Sequence, residues 1–216
     1  FTLKKAGFNS IEDLKSREVV LGAHRVGHRS YLNGRLTAEI LGLKVRWVLG
    51  YTTPELYIAM ERREIDGRYN DAASVMRDRP DWFDNGDVIA HVSNTLPELL
   101  PAVDHPVFSS TPSLMQFAET EVHRDIVRKL NTTDRLGGAF AFPPGTPDHI
   151  RKIVEKAFLQ MGKDPKFQHA WETEVGIKPF QGVFSAAKVE EAIQIYTDWK
   201  PDVLKAYRRL GYQAPK

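Results

Sequence analysis

The chain has 216 residues, 42% apolar and 27% charged, enough to bury one large core or two smaller lobes. A net charge of +2 gives no case for a nucleic-acid partner, and residues 1–70, with 12 Lys/Arg against 8 Asp/Glu, hold the slight cationic excess. The absence of cysteine excludes disulfides, thiolate catalysis and Cys-ligated zinc; no run is long and apolar enough to span a membrane, and Phe-Thr-Leu-Lys-Lys does not read as a signal peptide.

Ser10-Ile-Glu-Asp-Leu-Lys reads as a capped helical turn, with Asp13 standing in for the Glu of a capping box. Val19 to Leu21 reads as a strand that stops at Gly22. A loop follows, and a helical pattern starts near Ser30, runs through Tyr31, Leu32, Leu36, Ile40 and Leu41, and ends at Gly42. Val45 to Leu49 is the next expected buried strand. Pro54 fits the first turn of a helix that carries Leu56, Ala59 and Met60 inward. Ile65 to Tyr69 is expected as a short strand, Asn70 or Asp71 as a helix cap, and Asp87 to Ser93 as a further strand. Strand alternating with helix in this way predicts an α/β layer built on a mainly parallel sheet.

Leu96 to Pro112, with Pro97, Pro101, Pro106 and Pro112, is expected to be irregular, and Leu114 to Leu130 helical. Gly137 to Phe142 reads as a glycine-led strand closed by Pro143-Pro144-Gly145-Thr146-Pro147. Beyond it the pattern is helical: from Asp148, with Ile150, Ile153, Val154, Ala157, Phe158 and Met161 on one face, then Pro165 to Glu174, Ala186 to Ile195 and Lys200 to Leu210.

The loop between Val19 and Tyr31 carries the chemistry. Strand, glycine loop and helix start together aim backbone N–H groups and the positive end of a helix dipole at one point, where anions bind. Gly22, Ala23, His24, Arg25, Val26, Gly27, His28, Arg29 and Ser30 are therefore candidate anion-binding residues, with His24, Arg25, His28 and Arg29 adding positive or protonatable charge. Gly22-xxxx-Gly27-His28-Arg29 approaches a nucleotide-binding loop, but His28 stands where Lys must reach phosphate and Arg29 where Ser/Thr must reach Mg²⁺. No G-x-G-x-x-G occurs either, so no nucleotide cofactor is expected.

Further matches follow in order: Gly50-Tyr51, Glu55, Ala59-Met60-Glu61-Arg62-Arg63-Glu64-Ile65-Asp66-Gly67, Phe142-Pro143-Pro144-Gly145-Thr146-Pro147 and Lys163-Asp164-Pro165-x-Phe167. Together with the opening loop, this series resembles the substrate-binding receptors of tripartite tricarboxylate transporters, the TctC or Bug family. The resemblance implies a periplasmic protein of type II periplasmic-binding-protein topology, whose two α/β lobes close over a small carboxylate. It implies that ligand carboxylates are held by backbone amides of two strand-to-helix loops, one per lobe, with ordered water. Gly22 to Ser30 is similar to the second-lobe loop, and Asp66 to Asp71 to a segment that lines the same cleft.

This sequence departs from that pattern where the loop is unusually bulky and basic. His24, Arg25 and His28 replace small residues, Thr53 stands where glycine is common, and Arg63 replaces the glycine of Arg-Gly-Glu. Members of the family begin with a long segment that builds most of the first lobe. The expected layout here is therefore residues 15–138 as the α/β ligand-binding lobe and 139–216 as a mostly helical part of the other, incomplete lobe. An incomplete lobe implies exposed apolar surface on the tail and association, for instance as a homo-oligomer.

Tyr51, at a strand end, is a candidate cleft wall. Arg68, Tyr69 and Asn70 offer a cation, an aromatic face and an amide beside a helix start. His24 and His28 lack a third ligand, so no metal is expected. The expected function is a non-catalytic receptor that hands a small carboxylate to the membrane components of a tripartite transporter. The alternatives are a carboxylate-sensing domain of a regulatory system and a hydrolase or lyase using His24 or His28 as general base. The latter lacks G-x-S-x-G, a Cys nucleophile and a complete metal set.

Overall fold

The computed structural model describes residues 1–96, 103–136, 138–176, 178–180 and 182–213. Strand β1 (Thr2–Leu3) and a 3-10 turn lead into helix α1 (Ile11–Ser16). The expected capping box is present: Asp13 N–H donates to Ser10 Oγ at 3.0 Å and Ser10 N–H to Asp13 Oδ2 at 3.1 Å. Strand β2 (Val19–Ala23) precedes helix α2 (Arg29–Leu41), which Gly42 closes at φ +69°. Strand β3 (Val45–Leu49) leads to helix α3 (Thr53–Glu61), with Pro54 in its first turn as expected. Strand β4 (Gly67–Arg68), helix α4 (Ala72–Asp78, capped by Asp71), helix α5 (Pro80–Asp84) and strand β5 (Val88–Ile89) complete the α/β part.

The strands form one sheet in the order β3-β2-β4-β1-β5. Strand β2 runs parallel to β3, from Val19 opposite Val45 to Ala23 opposite Leu49, and parallel to β4, with Gly22 opposite Arg68. Thus the mainly parallel α/β sheet is present. Added to it is the short β1, antiparallel to β4 and β5 and too short to leave a period in the sequence. Three strands differ from expectation in extent or burial. Val45 to Leu49 is an edge strand with Arg46 exposed, and the expected 65–69 and 87–93 runs shrink to two residues each.

Among the described residues two large cores flank the sheet, with a smaller cluster of Phe8, Leu14 and Val19 beside them. One joins Leu32, Leu36 and Ile40 of α2 to Ile126 and Leu130; the other joins Leu56, Tyr57 and Met60 of α3 to Ile65, Trp82 and Val88. Asp66 bolts the second layer to the sheet: Val20 N–H donates to its carboxylate at 2.8 Å, and its own N–H donates to Val20 O at 2.8 Å.

Beyond the sheet, Pro97 and Pro101 lie outside the described residues, and Pro106 starts a short helix, α6 (Pro106–Ser109), inside the stretch expected to be irregular. The helix expected over 114–130 is split. A 3-10 turn (Leu114–Phe117) ends at Ala118, and Thr120 Oγ1 caps a new helix, α7 (Glu121–Leu136), by accepting His123 N–H at 3.1 Å. The strand expected over Gly137 to Phe142 does not form at 139–142, and Gly137 is outside the described residues. Among the described residues, 139–142 have no neighbouring strand with which to pair, and Phe140 is 83% exposed.

The helical tail follows the sequence pattern: α8 (Asp148–Met161), α9 (Pro165–Val175), α10 (Ala186–Thr197) and α11 (Pro201–Gly211). Helix α10 packs on α7, and α11 packs on α2 and α7, adding Val203, Tyr207 and Leu210 to the α2-side core. Helices α8 and α9 bury no residue fully, and Ile150, Ile153 and Val154 of the apolar α8 face are exposed.

Candidate anion site

Because β2, β3 and β4 are parallel, their carboxyl ends lie on one side of the sheet. The chain leaves β2 for β3 on one flank and returns to β4 on the other, which makes the β2–β4 gap a topological switch point. Crevices for ligands open at such points, outside the carboxyl ends of the strands. His24 to His28 follow β2, Gly50 to Thr53 follow β3, and Tyr69 and Asn70 follow β4. Gly50 N–H donates to His24 O at 2.7 Å and joins the first two loops.

The two histidines stack, with ring centroids 4.1 Å apart and planes at 22°. Both address the buried Ser30 hydroxyl: His24 Nδ1 lies 3.1 Å from Oγ and His28 Nδ1 2.9 Å from it. His28 is also the N-cap of α2, its Nδ1 accepting Ser30 N–H at 3.2 Å. A backbone amide only donates, so His28 Nδ1 carries no proton and its ring is the neutral Nε2–H form. Ser30 Oγ–H then donates to His28, His24 Nδ1–H donates to Ser30, and the Thr53 hydroxyl donates to His24 Nε2 at 3.2 Å. Burial, reinforced by the charges of Arg25 and Arg68, holds both rings below the usual histidine range.

Arg68 is the anomaly of the site. It is 2% exposed, and its Nε and Nη1 are buried without a hydrogen-bond partner. The guanidinium lies 5.2 Å from the centroid of the Tyr57 ring, and Asp71 and Asp78 support its charge from a distance. Its field reaches both His24 and His28, so the three groups share one region. Buried N–H groups without acceptors are expensive, and an anion would relieve them.

The other expected residues have varied placements. Gly22 and Ala23 are buried within β2; a Cβ on Gly22 would fall 2.4 Å from Ile65 Cδ1 and 2.5 Å from Leu56 Cδ2, so any side chain there must push two buried core residues aside. Arg25 and Arg29 are exposed and Val26 is half-buried. Gly27, at φ +78°, donates its N–H to Gly211 O at 3.2 Å. Tyr51 is half-buried against the α3-side core. Tyr69 lies on the α2 side, where its hydroxyl accepts from Asn33 at 3.3 Å and Asn94 at 3.0 Å, while Asn70 donates to Tyr57 at 3.3 Å. The sequence reading missed Thr53 and Tyr57 as members of this cluster. Their signals were a hydroxyl just beyond a parallel strand end and an aromatic on the inward face of the next helix.

No protein-family model and no curated protein match the sequence. Solved structures do match its fold. A TctC solute-binding protein from Polaromonas, crystallised without ligand, superposes with a TM-score of 0.57 at 12% identity, covering 97% of this chain and 63% of that one. A protein of R. palustris solved with adipate gives a TM-score of 0.56 at 14% identity, covering 95% of this chain and 63% of its own. The chain spans 63% of the length of each. At these identities the likeness concerns architecture: this chain carries the fold of a TctC solute-binding protein over that span.

Proposed function

We propose that the protein is a non-catalytic, extracytoplasmic receptor that takes a small carboxylate into the crevice between β2 and β4 and presents it to the membrane components of a tripartite transporter. The observation that carries this reading is Arg68, a buried guanidinium with two N–H-bearing nitrogens that lack a hydrogen-bond partner and whose charge acts on His28, the N-cap of α2. A fold keeps such a charge at a stability cost when an anion is its partner. The fold likeness and the adipate held by the R. palustris protein support a carboxylate as that anion. Among the described residues no group of His, Asp and Glu is arranged to hold a metal ion.

Isothermal titration with a panel of mono-, di- and tricarboxylates that includes adipate tests the reading. One member should saturate a single site, and Arg68→Met should weaken it by about 1.5–3 kcal/mol, a loss of roughly 10- to 150-fold. The same variant should keep or raise the urea midpoint, since it removes buried N–H groups without acceptors. Absence of binding across the panel overturns the proposal.

A further inference from the structure

The amide at the start of α2 is not vacant. Ser30 N–H, the donor that a helix offers an incoming anion, is held by the Nδ1 of His28 at 3.2 Å. We infer that the His28 imidazole is a built-in stand-in for the ligand, which a bound carboxylate displaces from the α2 amide with uptake of a proton by the released ring. This rests on reading the crevice as a carboxylate site.

In the free protein His28 can cap α2 only while Nδ1 is bare, because that nitrogen accepts from both Ser30 N–H and Ser30 Oγ. The charged groups that act on it are all cations: Arg25 from its own loop, Arg29 from α2 and Arg68 from β4. The neighbouring polar groups, His24 at the end of β2, Ser30 of α2 and Thr53 of α3, form a one-way chain of donors that ends on that bare nitrogen. Neutrality is therefore built in from every side. A carboxylate on Ser30 N–H changes this balance. It cancels the field of Arg68, ends the need for a bare Nδ1, and leaves an imidazole beside an anion, where the imidazolium is favoured. The proton comes from bulk water and the released ring becomes a second donor to the carboxylate.

The consequence is a receptor that holds its ligand more tightly as pH falls. Apparent affinity should weaken as pH rises, by up to about tenfold per unit where the bound form is protonated and the free form is not. Two measurements on the whole chain test this. Nitrogen-detected NMR of the free protein should show His28 as the Nε2–H tautomer, titrating below an ordinary histidine; a ring that titrates at or above the ordinary value overturns the inference. Calorimetry with adipate in buffers of different ionisation enthalpy should show net proton uptake near neutral pH. His28→Asn keeps a capping acceptor but cannot titrate, so it should bind with no uptake and a flat pH profile. Adipate binding without uptake, or uptake that survives in His28→Asn, overturns the coupling and leaves the receptor reading intact. No binding of adipate or of any other member of the carboxylate panel at any pH, with the stated tautomer observed, removes the carboxylate site itself and the coupling with it.

Discussion

The Thr53 hydroxyl lies 3.2 Å from Nε2 of His24, joining the loop after β3 to the loop after β2. These are two of the positions at which the sequence departs from the receptor pattern it resembles, and the structure shows that they depart together. A glycine at 53 would have no side chain to give His24. The histidine in turn stacks on His28, a third departure. What reads along the chain as scattered bulk is a single bonded unit.

Thr53→Val keeps the volume of the side chain and removes its donor. Stability should fall by about 0.5–1.5 kcal/mol, the worth of one hydrogen bond. The nitrogen shifts of His24 should move with it, because Nε2 loses its partner. Urea melts and histidine NMR read the two effects separately, and an unchanged His24 spectrum would remove Thr53 from the network.

Arg63 sits at φ +61°, in the left-handed region, just past the end of α3. Its N–H donates to Met60 O and the next amide, of Glu64, donates to Ala59 O, so the turn is fixed by backbone bonds that glycine makes equally well. Left-handed backbone costs a side-chain-bearing residue about 1–2 kcal/mol, against about 0.5–1 kcal/mol of extra unfolded-state entropy for glycine. Arg63→Gly should therefore stabilise the protein by about 0.5–1 kcal/mol and raise Tm by about 2 °C, measured by thermal denaturation.

His91 is 7% exposed, with its Nε2 2.9 Å from Thr2 Oγ1, and burial depresses its pKa to about 3. The unfolded chain takes up this proton below the usual 6.5, which the folded chain refuses until about 3. The contribution is thus full above pH 6.5 and is lost as pH falls toward 3, at up to about 1.4 kcal/mol per unit. Urea midpoints measured at unit steps from pH 7 to pH 4 should fall less steeply for His91→Gln than for the parent.

Ile153, 63% exposed, with Ile150 and Val154 leaves an apolar face of α8 open to water, and Phe140, 83% exposed, meets that helix at Phe158, ring centroids 5.1 Å apart. Isolated exposed side chains are ordinary, but a contiguous apolar face is not. The native protein should enhance the fluorescence of a hydrophobic dye such as ANS, and Ile153→Glu combined with Phe140→Ser should abolish most of that enhancement without lowering Tm. An equal signal from the double variant would locate the dye elsewhere.

Legibility in the sequence followed the length of the signal. Ser10 and Asp13, the stop at Gly42, Pro54 at a helix start and the Asp71 cap were readable, because each is a local pattern with a local cause. Strand β1 was not readable, since two residues carry no period and its place depends on pairing with β4 and β5. Gly137 to Phe142 failed for the opposite reason: the apolar run is there, but among the described residues 139–142 have no strand beside them. At the site, the loop and Arg68 were visible as residue types. That His28 would cap its own helix, and that Arg68 would be buried unpaired, are facts of three-dimensional neighbourhood that no spacing encodes. Gly22 shows the same limit, the room for a side chain there being taken by Leu56 and Ile65 rather than by any anion.

The rear of the loop is held by the far end of the chain. Gly27 N–H reaches Gly211 O, and the Tyr31 hydroxyl donates to Gln213 O at 2.9 Å across 182 residues of sequence. A Cβ on Gly211 would fall 2.0 Å from Leu32 Cδ1, so α11 and α2 meet with no room to spare. Contacts of such separation carry the largest loop-closure entropy and are slow to form. Sheet and flanking helices can therefore assemble before the anion loop has its final shape. The cluster of His24, His28 and Ser30 therefore takes its final geometry with the docking of α11, and a chain in which α11 has not yet docked carries the sheet without a finished loop.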